Sequence, residues 1–127
     1  WRALQKMRIA RAFCSVVALN GHLYVCGGIN EEWVGMCSVE RYDPEHNRWE
    51  VAAPMMRGRC SFVAAALRGC IFVCGGLERR ARPLPAALSC AEEFSPATAT
   101  WASAPDVPSM SRGRAGHTGG VLLNSRL

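Results

Sequence analysis

Leu23-Tyr24-Val25-Cys26-Gly27-Gly28 returns 48 residues later as Ile71-Phe72-Val73-Cys74-Gly75-Gly76. An apolar run containing a β-branched residue and an aromatic reads as a buried strand. The glycine pair that closes it marks a strand end where the backbone takes φ > 0 or another segment approaches closely. A period near 50 residues decides the fold before any other feature does.

The repeat extends outward in both directions. Met7 to Gly28 aligns without a gap on Met55 to Gly76, so that Arg11 falls on Arg59 and Gly21 on Gly69. Downstream, Glu40-Arg41-Tyr42-Asp43-Pro44 falls on Glu92-Glu93-Phe94-Ser95-Pro96, and Trp49 falls on Trp101. The spacing from aromatic to Trp is seven residues in both copies. A further copy starts at Met110 and Arg114, and Trp1 with Met7 repeats the pair Trp49 and Met55.

Gly27-Gly28 with Tyr42 and Trp49, then Gly75-Gly76 with Phe94 and Trp101, resemble the kelch repeat over essentially the whole chain. The Met-x-x-x-Arg element and the Tyr42-Asp43-Pro44 turn are most similar to the kelch domains of the BTB-kelch (kelch-like) family. The resemblance implies an all-β fold, a partial kelch β-propeller. It has about two four-stranded antiparallel blades plus pieces of flanking blades. The repeats run roughly over 7–54 and 55–106, with a truncated third over 110–127. Each repeat needs neighbours to cover its apolar faces, so 127 residues are expected to be a piece of a longer propeller. A ring assembled from several copies is the alternative.

Within each unit, strand A is expected over roughly Phe13–Leu19, with a hairpin turn at Asn20-Gly21. Strand B is expected over His22–Cys26, strand C over roughly Cys37–Tyr42 and strand D from Arg48 to about Ala52. Trp1–Ala3 reads as the outer strand of a preceding blade. The loop after Gly76 reaches its aromatic in 18 residues against 14 in the first copy. Its Arg and Pro content predicts an exposed, irregular connection. Tyr42 and Trp49 are placed to pack against the next blade.

Net charge is +5, from 15 Lys and Arg against 10 Asp and Glu, a balance that favours acidic partners. No basic run alternates with aromatics, which argues against nucleic acid. No stretch has the roughly 20 apolar residues of a membrane helix, and no signal peptide is visible. The seven cysteines contain no C-x-x-C pair, and Cys26 and Cys74 share one repeat position as small buried hydrophobes. No metal, cofactor or disulfide is expected, and the reading is cytoplasmic. Ser125-Arg126-Leu127 matches a peroxisomal address only in its three letters.

Function is expected in the non-repeating loops. In the family, the loops joining strands B to C and D to the next A open on one face and hold a protein segment. On this sequence the candidates are Glu31, Glu32, Trp33, Phe13, Ser61, Arg79, Arg80 and Arg82. Known binders carry Arg at some of the D-to-A positions, which here are Ala12, Phe13, Cys60, Ser61, Ala115 and Gly116. Arg11, Arg59 and Arg114 recur in every copy, which argues for a structural hydrogen-bonding role, as do the repeated Gly27, Gly28, Tyr42, Trp49, Gly75, Gly76, Phe94 and Trp101. The resemblance implies a non-catalytic module that binds a protein substrate or scaffold partner. The expected setting is the substrate-recognition domain of a cullin-3 ubiquitin-ligase adaptor, whose cullin contacts lie in BTB and BACK segments outside these residues. The alternatives are an actin-binding or scaffolding kelch protein and, last, a copper oxidase using Tyr, His and a modified Cys.

Overall fold

The computed structural model describes residues 1–80, 85–104 and 107–116. Strands β1 (Ser15–Leu19), β2 (His22–Cys26), β3 (Val39–Asp43) and β4 (Arg48–Ala52) form one four-stranded sheet in that order. Strands β5 (Val63–Leu67), β6 (Cys70–Cys74), β9 (Ala91–Ser95) and β10 (Thr100–Ser103) form a second. Every pairing is antiparallel. No helix occurs among the described residues.

The tight turns explain the register. Asn20-Gly21 (φ 50° and 74°) and Arg68-Gly69 (φ 52° and 76°) take the left-handed conformations of two-residue hairpins. The C-to-D turns place Asn47 (φ 47°) and Ala99 (φ 53°) in the same region. Asn47 Oδ1 also accepts the Tyr42 hydroxyl at 2.7 Å.

The core lies between the two sheets, not within either. Leu19, Tyr24, Cys26 and Val39 of the first blade meet Met55, Phe62, Ile71, Val73 and Phe94 of the second. Tyr24 and Phe94 rings stand 5.6 Å apart across the joint. At roughly 25 cal/mol per Å² of apolar surface, this shared face stabilises each blade only in the presence of its neighbour.

Several expectations need correction. Trp1–Ala3 forms no strand, because among the described residues nothing pairs with it and Trp1 is fully exposed. Strand A begins at Ser15, since Phe13 has φ 55° and cannot continue an extended run. Strand C begins at Val39. The loop after Gly76 opens with regular structure. β7 (Leu77–Glu78) pairs with β8 (Ala86–Ala87), and Arg79 O accepts the Gly35 N–H at 2.8 Å. The indoles reach backward. Trp49 Nε1 donates to Gln5 O (2.7 Å) and Trp101 Nε1 to Ala53 O (2.8 Å), in the connections preceding their own blades. Residues 117–127 of the truncated third repeat, the Ser125-Arg126-Leu127 tail among them, lie outside the described residues.

Candidate protein-binding surface

The recurrent arginines form the joints. Arg11 Nη1 donates to Gly27 O (2.9 Å) and Ser38 O (3.0 Å), and Nη2 pairs with Glu40 Oε2 at 2.9 Å. Arg59 repeats the pattern on Gly75 O (2.8 Å), Cys90 O (3.3 Å) and Glu92 Oε2 (2.5 Å). The second carboxylate oxygen is used as well. Glu40 Oε1 accepts the Arg8 N–H at 2.8 Å, and Glu92 Oε1 that of Met56 at 2.5 Å. Both arginine side chains are fully buried. Arg114 is exposed, although its backbone docks on Leu88 and Gly76.

The backbone of the same segment grips the preceding blade. Gly28 N–H donates to Arg59 O (2.9 Å), Arg59 N–H to Met36 O (3.1 Å) and Ser61 N–H to Phe13 O (2.9 Å). One residue thus holds two blades, its amide and carbonyl on one and its side chain inside the next. Glu40 and Glu92 were not singled out in the sequence. Their signal was the Glu that opens both aligned Glu-x-aromatic stretches, in a strand whose burial demands a partner.

The loop candidates separate into two groups. Phe13, Glu31 and Trp33 come together around a pocket of about 360 Å³ that Ile29 and Ala10 also line. Glu32 borders a neighbouring hollow with Arg8 and Ile9. Asn30 Oδ1 accepts the N–H groups of Glu32 and Val34, both at 3.0 Å, and so shapes the turn that presents Trp33. Trp33 has φ 62°, a costly conformation for an aromatic residue, and is 60% exposed. The Arg79 guanidinium of the second blade lies 5.4 Å from the Trp33 ring centroid, a cation–π contact between the two blades' loops.

Ser61 is half-buried with φ 53° and sits at the joint itself. Arg80 turns back on its own loop, with Nη2 2.7 Å from Glu78 Oε1, and Arg57 approaches the other Glu78 oxygen at 3.7 Å. Arg82 lies outside the described residues. Glu31 and Glu32 are exposed and in no ion pair among the described residues.

Asp43, Glu45 and His46 each bring one ligand atom within 4.8 Å of the others. The Asp43 carboxylate is already engaged as the cap of its own turn. Oδ2 meets His46 Nδ1 at 2.6 Å and Oδ1 accepts the Glu45 N–H at 3.0 Å. That bond to His46 holds the Asp43 carboxyl below the usual carboxylate range.

All seven cysteines are unpaired. Burial pushes the Cys26 thiol up to about 12, with Arg11 pulling the other way. At pH 8 iodoacetamide is therefore expected to label exposed Cys37 rapidly and to leave Cys26 unmodified until the chain unfolds, as read by peptide mass spectrometry.

Comparisons with known proteins agree with this geometry. The Kelch motif family matches residues 10–56 and 58–108. An F-box/kelch-repeat protein of Arabidopsis thaliana is 33% identical over 75% of this chain and 20% of its own length. Kelch-like protein 15 of Danio rerio is 40% identical over 61% of this chain, and Kelch-like protein 33 of Homo sapiens 40% over 60%, each across 14% of its own length. The chain thus spans a fifth or less of these relatives. Among solved structures, that of YjhT matches with a TM-score of 0.77 over 94% of this chain and 34% of its own, at 19% identity. The two sheets are blades of a β-propeller, as the repeat implied.

Proposed function

Because the chain belongs to the kelch-repeat family, we propose that its two blades are part of a non-catalytic protein-binding propeller. The observation that supports this most directly is Trp33. It is exposed, strained, buttressed by Asn30 and braced by Arg79 from the next blade. An aromatic anchor held rigid loses little entropy on binding, and strain retained at an exposed loop tip points to recognition. Phe13 supplies a second exposed aromatic nearby.

The finer reading is the substrate-recognition domain of a cullin-3 ubiquitin-ligase adaptor, working in the cytoplasm. The similarity to Kelch-like proteins 15 and 33 supports the adaptor. The unpaired thiols fit a reducing compartment, and among the described residues no helix is long and apolar enough to cross a membrane. The Arabidopsis relative covers more of the chain, which favours as a second reading the same propeller carried by an F-box protein.

Co-precipitation of cullin-3 with the full-length protein that carries these residues tests the adaptor reading. The association is expected to survive deletion of residues 1–127, because these residues would hold the substrate and not the cullin. Failure of the full-length protein to bring down cullin-3 overturns it, and actin co-sedimentation in its place supports the cytoskeletal alternative.

A further inference from the structure

The two B-to-C loops carry opposite charge at equivalent positions. Counted from their glycine pairs, Glu31 and Glu32 correspond to Arg79 and Arg80. The arginines are engaged locally. Arg80 Nη2 lies 2.7 Å from Glu78 Oε1, and the Arg79 guanidinium lies 5.4 Å from the Trp33 ring centroid. Glu31 and Glu32 are exposed and form no ion pair among the described residues. Arg8 lines one hollow with both carboxylates without pairing with either. Beside them lies the pocket of about 360 Å³ walled by Phe13, Ile29 and Trp33. Phe13 and Trp33 are each 60% exposed. The joint between the two blades shows that such walls keep their access when a neighbouring loop is seated. There Arg59 N–H is bonded to Met36 O, yet Ser61 and Arg79, the equivalents of Phe13 and Glu31, are only half-buried, and Arg80 is exposed. Phe13 and Ser61 share one backbone conformation (φ 55° and 53°), and the phenyl ring reaches further from it than a hydroxyl does.

We propose that this surface docks a partner segment in which an apolar or aromatic side chain stands next to Lys or Arg. The inference rests on the protein-binding reading and names the chemistry of what is bound. The apolar side chain enters between Phe13 and Trp33, where a large desolvated anchor supplies most of the affinity. The cation meets Glu31 and Glu32, which select the segment more than they tighten it. Two carboxylates free of partners beside an apolar wall leave an acidic segment facing like charge. The net charge of +5 draws acidic partners to the chain as a whole, but the first blade's loop is reversed locally. The second blade's loops set the direction of the segment. Arg57, Arg79 and Arg80 stand there against Glu78 alone, so they repel the cation and keep the basic end over the first blade.

Selection of random short peptides displayed on phage, with the full-length protein that carries these residues as bait, tests it. Enriched peptides are expected to join Phe, Trp or Leu to Lys or Arg. A synthetic copy of the strongest is then titrated against variants. Glu31→Gln/Glu32→Gln should weaken it about fivefold, as exposed ion pairs do, and the difference should shrink at high salt. Trp33→Ala should weaken it about 30-fold. All three side chains are exposed, and an unchanged urea midpoint confirms that the variants keep the fold. Enrichment of acidic peptides, or binding that needs Trp33 and ignores Glu31→Gln/Glu32→Gln, overturns the inference and leaves the protein-binding reading standing. Failure to enrich any peptide that depends on Trp33 overturns both.

Discussion

Replacing Arg59 by methionine is expected to destabilise the protein by about 3–5 kcal/mol, the cost of leaving a buried charge without its partner. Arg59 and Glu92 are almost wholly removed from water, and the same guanidinium satisfies Gly75 O and Cys90 O. Methionine fills much of the volume but leaves one carboxylate and two carbonyls without those donors. The backbone of Arg59 also carries the joint to the first blade, so loosening its side chain should weaken the interface on both sides. Urea unfolding followed by Trp fluorescence reads the change. The Arg59→Met/Glu92→Met double variant should recover a large part of the loss, since a buried ion pair exchanged for apolar groups is often close to neutral. Arg59 Nε is itself buried without a hydrogen-bond partner among the described residues, so the native pair is not fully satisfied. Removal of Arg80 is the control. Its guanidinium is largely in solvent, and its pair with Glu78 is worth at most about 1 kcal/mol. Equal losses for Arg59→Met and Arg80→Met would refute the joint assigned to Arg59.

The contrast shows what the chain declares in its sequence and what it withholds. Strands B and D were legible because an apolar run and turn chemistry are local, and β2 and β4 fall on the expected residues. The recurrence of Arg11 and Arg59 was legible as a structural signal, but their partners were not. Arg11 meets Glu40 across 29 residues, and Arg59 meets Glu92 across 33, because the second loop is longer. A pairing whose spacing shifts with loop length leaves no fixed motif. The β7–β8 hairpin was missed for a related reason. Arg79, next to β7, accepts the Gly35 N–H from the first blade, a long-range contact with no local signal, while the loop's own Arg and Pro content suggests irregularity. Phe13 and Ser61 take positive φ without being glycine, so composition gave no warning that strand A starts after them. The candidate surface was half legible. Trp33, Phe13 and Glu31 line one pocket, whereas Ser61 sits at the joint between the blades and Arg80 turns back onto Glu78, which their place in the loops did not foretell.

Gly76→Ala should be the other severe substitution, and Gly69→Ala identifies the reason. Both glycines have positive φ, 94° and 76°, in the same blade. At Gly69 an added Cβ meets nothing within 4 Å, so alanine costs only its conformational penalty of about 1–2 kcal/mol. At Gly76 the Cβ would lie 2.7 Å from both Cys60 O and the Phe62 Cβ. Neither can yield cheaply. Cys60 N–H and C=O are both bonded to Leu77, and Phe62 belongs to the core between the blades. Overpacking there adds about 1–3 kcal/mol to the conformational cost. Thermal unfolding should therefore place Gly76→Ala well below Gly69→Ala. Equal midpoints would mean that the glycine pair serves backbone conformation alone. A clear gap would mean that it is there to let the connection entering the same blade, at Cys60 and Phe62, pass close by, which ties the most recognisable signature in the sequence to the joint between blades.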